Sequence, residues 1–260
     1  MMNESTPPDE LTVCMPTWNS EPVLRQTLDC LAESARNASI DIRSLIIIDN
    51  ESEDRTTEIA RDAAAEFDWE AKIRSIPCLL PKARETAIKI VDTDWFLFLD
   101  DDVLISPKYI SRLCEAVSPA VGAVQGRKES RREKNNSMWV HSRSKRGGTH
   151  ATLVRTSAAR GVSFPPDLHI LEDEYLRQHI ELKGYLWIFN HQAFFDHKSQ
   201  NRHSQAWKHG YLGGKYSLSK FHYHLLDAPF AVLRGKSPVN QASLLFGWLY
   251  GYLRYQRIEF

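Results

Sequence analysis

With 260 residues the chain can build one large domain with a complete core, or a domain with a smaller appendage, and 42% hydrophobic with 25% charged residues is ordinary globular composition. Four scattered cysteines, Cys14, Cys30, Cys78 and Cys114, lack Cys-x-x-Cys spacing and argue against a zinc site or a disulfide framework, fitting a reducing cytosol. The formal net charge of zero conceals a division: residues 1–126 hold 12 Lys/Arg against 23 Asp/Glu, a net of −11, so residues 127–260 carry +11 and should face something anionic.

The first ten residues are polar and acidic, with no apolar run after them, and read as a disordered lead-in without a secretory signal. Leu11 to Met15 is a short apolar run stopped by Pro16, and Pro22 then opens a segment with Leu24, Leu28, Leu31, Ala32 and Ala35 at helical spacing. Arg43 to Ile48 is a second strand, and Asp54 can cap a helix whose inner face is Ile59, Ala60, Ala63, Ala64 and Phe67. The alternation continues through a weaker strand at Lys72 to Ile76, a helix at Pro81 to Val91, and a buried strand at Trp95 to Leu99. A helix at Ser106 to Ala116 and a strand at Val121 to Gln125 follow. Such alternation predicts an α/β fold of right-handed βαβ units around a parallel sheet covered on both faces.

After Gly126 the character changes. Residues 127–146 contain eight Lys/Arg and two acids without apolar periodicity, the signature of a long loop. Thr149 to Thr156 resumes a strand pattern, Ile170 to Leu182 reads as a helix and Leu186 to Phe189 as a strand. From Ser204 onward the chain reads as helical, ending in the apolar Leu244 to Leu253, whose ten residues fall short of the 20 or so that a membrane-spanning helix needs. The expected organisation is an α/β half over 11–126, a second half over 127–203, and a helical extension over 204–260.

Two apolar runs end abruptly in acids: Leu45-Ile-Ile-Ile-Asp49 and Trp95-Phe-Leu-Phe-Leu-Asp100-Asp-Asp102. Runs of this kind are buried strands of a parallel sheet, and their carboxyl ends are where open α/β sheets bind ligands. Three consecutive carboxylates repel one another, and a hard divalent cation, Mg²⁺ or Mn²⁺, is the usual reason to gather them there. Pro16 to Asn19, after the first strand, would offer backbone groups to a base and ribose. Asp49 and Asp54 could instead only cap the next helix. Arg84 can pair with a phosphate in bidentate fashion, or be a helix-surface charge. Glu172 and Asp173 stand at a helix start, where acids are also favoured simply by the helix dipole. His197 could be a ligand or a histidine satisfied within the fold.

Taken in order, Val13-Cys-Met-Pro16-Thr17-Trp-Asn19, Ile48-Asp49-Asn50-Glu-Ser-Glu-Asp54, Pro81-Lys-Ala-Arg84, Leu99-Asp100-Asp101-Asp102 and Glu172-Asp173 resemble the ordered signature of glycosyltransferase family 2, over roughly residues 11–200. The resemblance implies the GT-A fold, transfer of a sugar from a nucleotide-sugar with inversion, and a Mn²⁺ or Mg²⁺ cofactor. It implies that Asp49 accepts a hydrogen bond from a uracil-type base, which favours a UDP-sugar, with Pro16, Thr17, Asn19 and Asn50 around the nucleotide. Asp100 then sits near the ribose, Asp101 is the spacer, Asp102 touches the metal, Asp173 or its neighbour Glu172 is the general base, and His197 is an additional histidine facing the metal or diphosphate.

The acceptor half is less determined. The basic run at 127–146 could bind a phosphate-bearing acceptor or an anionic membrane surface, or be a solvated face. Phe221 to Leu226, Phe230 to Leu233 and Leu244 to Leu253 resemble interfacial helices, with a helical cap or subunit interface as the alternative. A glycan or lipid-linked acceptor, a cytoplasmic location peripheral to the membrane and no nucleic-acid partner are expected. Two other readings are weaker: a sugar-1-phosphate nucleotidyltransferase would need a glycine-rich phosphate loop where Pro16 to Asn19 stands, and a non-catalytic nucleotide-sugar binder would not need Asp100, Asp102, Glu172 and Asp173 together.

Overall fold

The computed structural model describes residues 7–129, 147–198, 205–233 and 235–255. Of the expected lead-in over residues 1–10, residues 1–6 lie outside the described residues and Glu10 already belongs to a strand, and most of the basic run, residues 130–146, lies outside them too. The chain divides into two compact units. One comprises residues 1–164 with 176–199, and the other residues 165–175 with 200–260.

The larger unit begins with β1 (Glu10–Thr17), α1 (Glu21–Ala38), β2 (Asp41–Asp49), α2 (Thr56–Glu66), β3 (Glu70–Ser75), α3 (Leu80–Ile90) and β4 (Trp95–Leu99). Each element has a local cause. The apolar stripe of α1 packs down from Leu24 through Ala35, Pro22 sits in its first turn, and Ser39 in the left-handed conformation closes it by donating to the Ala35 and Arg36 carbonyls. In β2 the residues Leu45 to Ile48 are buried on both faces, which fits an interior parallel strand and explains their unbroken apolar run. β1, β2, β3 and β4 pair in parallel, in the order β3-β2-β1-β4.

Beyond β4 the sheet turns mixed. The strands β5 (Val103–Ile105), β6 (Val121–Lys128), β7 (Ala151–Arg155) and β8 (Leu186–His197) complete the order β3-β2-β1-β4-β7-β6-β8-β5. α4 (Tyr109–Cys114) precedes β6, and the short α5 (Thr156–Ala159) follows β7. β7 runs antiparallel to both β4 and β6, and β5 runs antiparallel to β8. The parallel sheet expected from the alternation therefore holds for its first half, and antiparallel seams build the second. β8 is three times as long as the four-residue run expected there, because its second half pairs with β5 and the end of β6.

α6 (Glu172–Leu182) carries residues of both units. In the smaller unit, α7 (Ala206–Lys215), α8 (Phe221–Leu233) and α9 (Pro238–Tyr255) follow. α7 and α9 pack at backbone contact. A Cβ added at Gly210 or Gly214 would overlap the carbonyl oxygens of Leu244 or Trp248, and one added at Gly247 or Gly251 would overlap those of Trp207 or Tyr211. Both helices thus present a Gly-x-x-x-Gly face to the other. Lys215 pairs with Asp167 at 2.6 Å, and the Trp248 indole donates to the Ser219 carbonyl at 2.8 Å. No described helix is long and apolar enough to cross a membrane.

Candidate metal and nucleotide site

The carboxyl ends of β1, β2 and β4 lie side by side, as their parallel pairing requires. β4 is buried over all five residues and delivers Asp100 to Asp102 from the core to the sheet end. Asp100 is almost closed to solvent. Its Oδ1 accepts from Arg84 Nη2 at 2.9 Å and its Oδ2 meets His150 Nδ1 at 2.7 Å. Burial pushes the Asp100 carboxyl up, but Arg84 and His150 outweigh burial and bring it down to about 2. Asp100 is therefore a fixed anion.

Two antiparallel seams each bring a histidine to an aspartate. The β4–β7 register places Leu99 opposite Ala151, so the preceding residue, His150, lies beside Asp100, and the Asp100 N–H donates to the His150 carbonyl at 2.8 Å. The β5–β8 register places Val103 opposite His197, whose Nε2 lies 3.0 Å from Asp102 Oδ1. The two imidazole rings are 4.8 Å apart, and the nearest donor atoms of Asp100, His150 and His197 all lie within 4.8 Å of one another. One carboxylate and two imidazoles so gathered, with Asp102 against the second imidazole, suit a divalent cation. Sequence reasoning singles out Asp100, Asp102 and His197 but not His150. Gly-Gly-Thr-His150 carries no ligand spacing, and only the β4–β7 register reveals its position.

Asp101 points elsewhere. It accepts a hydrogen bond from the Ser20 hydroxyl at the start of α1, while burial and the neighbouring Asp100 and Asp102 push its carboxyl up to about 6. Asp101 is thus the turn residue that ties β4 to α1.

The other sequence-predicted residues surround the first two strand ends. Asp49 is fully buried. Its Oδ1 accepts from the Thr17 and Ser52 hydroxyls at 2.8 and 2.6 Å, and its Oδ2 accepts from the Ser52 N–H and the Ser75 hydroxyl at 2.9 and 3.0 Å. These fill the roughly four acceptor directions of a carboxylate, so a base that reaches Asp49 must displace one of them. Asn19, in the left-handed conformation, donates its N–H to Ser52 Oγ at 2.8 Å and accepts from the Glu53 N–H at 2.9 Å. Asn50 donates its N–H to the Thr17 carbonyl at 2.9 Å and accepts from the Cys78 N–H at 2.8 Å, and Pro16 pairs with Ile48 within the sheet. Asp54 accepts from the Glu21 and Thr56 N–H groups, both at 3.0 Å, and so joins the starts of α1 and α2.

The sequence reading aims Arg84 at a phosphate, but the structure leaves it 1% exposed, beneath the Phe98 ring and against Asp100. The cause is the inner face of α3, which turns Arg84 toward β4 together with Ala83, Ala87 and Ile88. Glu172 and Glu174 are buried and Asp173 is half-buried, in the first turn of α6. Leu171 just before them adopts φ of 67°, a left-handed conformation that costs a non-glycine residue about 1–2 kcal/mol.

Comparison with known proteins gives the family and the fold. The profile described as glycosyl transferase family 2 matches residues 12–180, more than half of the chain. The chain belongs to glycosyl transferase family 2 and is a glycosyltransferase. No curated protein matches it by sequence. Among solved structures, the mannosyltransferase PcManGT from Pyrobaculum calidifontis, in complex with GDP-Man and Mn²⁺, is 18% identical with a TM-score of 0.61, covering 95% of this chain and 70% of that one. TarS 1–349 of S. aureus, in complex with UDP-GlcNAc, is 17% identical with a TM-score of 0.59, covering 96% and 74%. Glucosyl-3-phosphoglycerate synthase from Mycobacterium tuberculosis, in complex with Mn²⁺, UDP and phosphoglyceric acid, is 13% identical with a TM-score of 0.54, covering 74% and 72%. These likenesses establish the GT-A fold, with a C-terminal helical part.

Proposed function

We propose that the chain is a metal-dependent inverting glycosyltransferase that moves a sugar from a nucleotide-sugar, with UDP-sugars favoured, to a hydroxyl of a glycan or lipid-linked acceptor. The observation that carries this reading is the gathering of Asp100, His150 and His197 at the end of β4, with Asp102 against His197, next to the β1 and β2 ends. Solved proteins of the same fold hold Mn²⁺ with UDP or GDP-Man. The donor set fits such an ion, with Asp102 and His197 as ligands together with Asp100. When bound, the cation would supply compensating charge for the diphosphate leaving group.

The chain's own residues supply the rest. Arg84 keeps Asp100 ionised and fixed in direction, so Asp100 is available to the nucleotide or cation without reorganisation. Thr17, Asn19 and Asn50 line the donor turn, and Asp49 reads the base by exchanging its Ser52 or Ser75 contact for the ring N–H of uracil. Asp173 is the proposed base that takes the proton of the attacking hydroxyl, with Glu172 as the alternative. Its partial exposure beside two buried glutamates and the strained Leu171 supports that role.

Features of the smaller unit support a peripheral position on an anionic membrane. Residues 204–260 hold seven Lys/Arg and two acids. On α8 only Ala231 is buried, leaving Leu225, Leu226, Phe230 and Leu233 exposed, and Phe246, Tyr250 and Leu253 are exposed on α9. Helices joined through glycine faces, with apolar and aromatic side chains outward, suit the interfacial layer of a bilayer.

The decisive measurement is thermal stabilisation by UDP, GDP and dTDP with and without Mn²⁺, followed by sugar transfer from the matching donors. Cation-dependent stabilisation by UDP is expected, reaching about 2.7 kcal/mol at a hundredfold the dissociation constant. If no nucleotide stabilises the protein, the reading fails.

A further inference from the structure

The end of β4 is faced by two histidines. Arg84, on the buried side of Asp100, already compensates that carboxylate at 2.9 Å. The His150 ring stands 4.8 Å from that of His197, which itself faces Asp102.

The spacing suits a shared ion. His150 Nδ1 lies 2.7 Å from Asp100 Oδ2, and His197 Nε2 lies 3.0 Å from Asp102 Oδ1. Neighbouring ligands around an ion with bonds of about 2.1 Å stand roughly 3 Å apart in octahedral geometry. His150 is also fixed from behind, because the Asp100 N–H holds its carbonyl, and its side chain remains 38% exposed and open to the site.

We propose that His150 is a metal ligand that sets the ion preference of this centre, making it a mixed carboxylate and imidazole set that favours Mn²⁺ and Co²⁺ over Mg²⁺. Mg²⁺ prefers oxygen ligands and retains its waters, whereas affinity for nitrogen-bearing sites rises from Mn²⁺ to Co²⁺ along the first-row series. The inference rests on the transferase reading only in requiring a divalent cation at this site.

The test uses the full chain freed of metal by chelation and dialysis. Mn²⁺ binding is followed by the paramagnetic resonance of the free ion, Co²⁺ by its visible absorption, and Mg²⁺ by competition, each with and without UDP. The wild-type protein should bind in the order Co²⁺, Mn²⁺, Mg²⁺. His150→Ala should lose Mn²⁺ and Co²⁺ affinity by tenfold or more, as loss of a group that supports a metal typically does. Its Mg²⁺ affinity should stay within about threefold, and the Co²⁺ spectrum should change shape. His150→Gln, which can keep the Asp100 contact through its amide, should show the same collapse of discrimination.

Equal losses for all three ions would make His150 a residue that only positions Asp100, and would overturn the proposal. So would unchanged discrimination in either variant. Failure of the wild-type protein to bind any of the three ions, with or without UDP, would overturn the metal-dependent reading as well, and so is distinguishable from failure at His150.

Discussion

Replacing Arg84 by Met removes the buried partner of Asp100 while keeping a long apolar stem beneath Phe98. At 2.9 Å the Coulomb attraction is about 6 kcal/mol with an effective dielectric constant of about 20, and breaking one partner of a buried pair typically costs about 3–5 kcal/mol. The titration of Asp100 points the same way, since burial alone would raise its carboxyl and Arg84 is the largest influence holding it down, at about 2. A loss of about 3 kcal/mol lowers the melting temperature by roughly 10 °C in a unit of this size. The sign of the pH dependence follows. A carboxylate whose value is depressed on folding stabilises above its unfolded value, and that contribution fades as pH falls toward 2. Without Arg84, burial is opposed by His150 alone and Asp100 rises, so the deficit of the variant should be largest at neutral pH and should narrow as acid relieves the buried charge. Thermal denaturation in chelator across pH 4 to 8 measures this directly. A melting temperature within about 2 °C of wild type at pH 7 would refute the argument, and a deficit that does not vary with pH would assign it to packing under Phe98.

Three further outcomes are expected. Asp173→Asn should slow sugar transfer by about 10²–10⁴ with donor affinity nearly unchanged, measured by single-turnover transfer and nucleotide titration. If Glu172→Gln slows transfer and Asp173→Asn does not, the base is Glu172. Asp49→Asn replaces hydrogen bonds to a charged acceptor worth about 1.5–3 kcal/mol each, and should lower melting temperature and UDP affinity together. A lower melting temperature with UDP affinity within twofold would make Asp49 a staple of the strand ends and remove the reason for favouring uridine. Gly251→Leu should force α9 away from the Tyr211 backbone and reduce co-sedimentation with acidic liposomes, while nucleotide binding is retained. Co-sedimentation that is absent in the wild-type protein, or insensitive to salt, would argue against a membrane surface.

Much of the larger unit is legible in the chain because its signals are local. Leu45 to Ile48 and Trp95 to Leu99 are continuous apolar runs that only a strand covered on both faces requires, and the stripe from Leu24 to Ala35 has helical period. The acids that end these runs also mark the site. What the chain does not display is pairing between distant segments. β5 has three residues, too few for any period to show, and the second half of β8 mixes Asn190, His191 and Gln192 with Phe194 and Phe195. Yet these segments place His197, and the β4–β7 seam places His150. Arg84 illustrates a different limit. Its charge suggests a phosphate, but the direction of a side chain depends on which face of α3 meets the sheet, and that face buries it against an anion.

The register between β4 and β7 defines a part of the molecule that cannot change in length. The five pairs from Trp95–Arg155 to Leu99–Ala151 fix His150 beside Asp100, and a slip of one residue would turn every side chain of β7 to the opposite face. Residues 147–149, just before His150, are buried as well, and the Gly148 carbonyl accepts from the Thr152 hydroxyl, so the fixed stretch extends back past the strand. An insertion or deletion between Gly148 and Arg155, or within β4, would therefore carry an imidazole away from its carboxylate, and the cation centre depends on chain length along this seam as much as on the identity of its ligands.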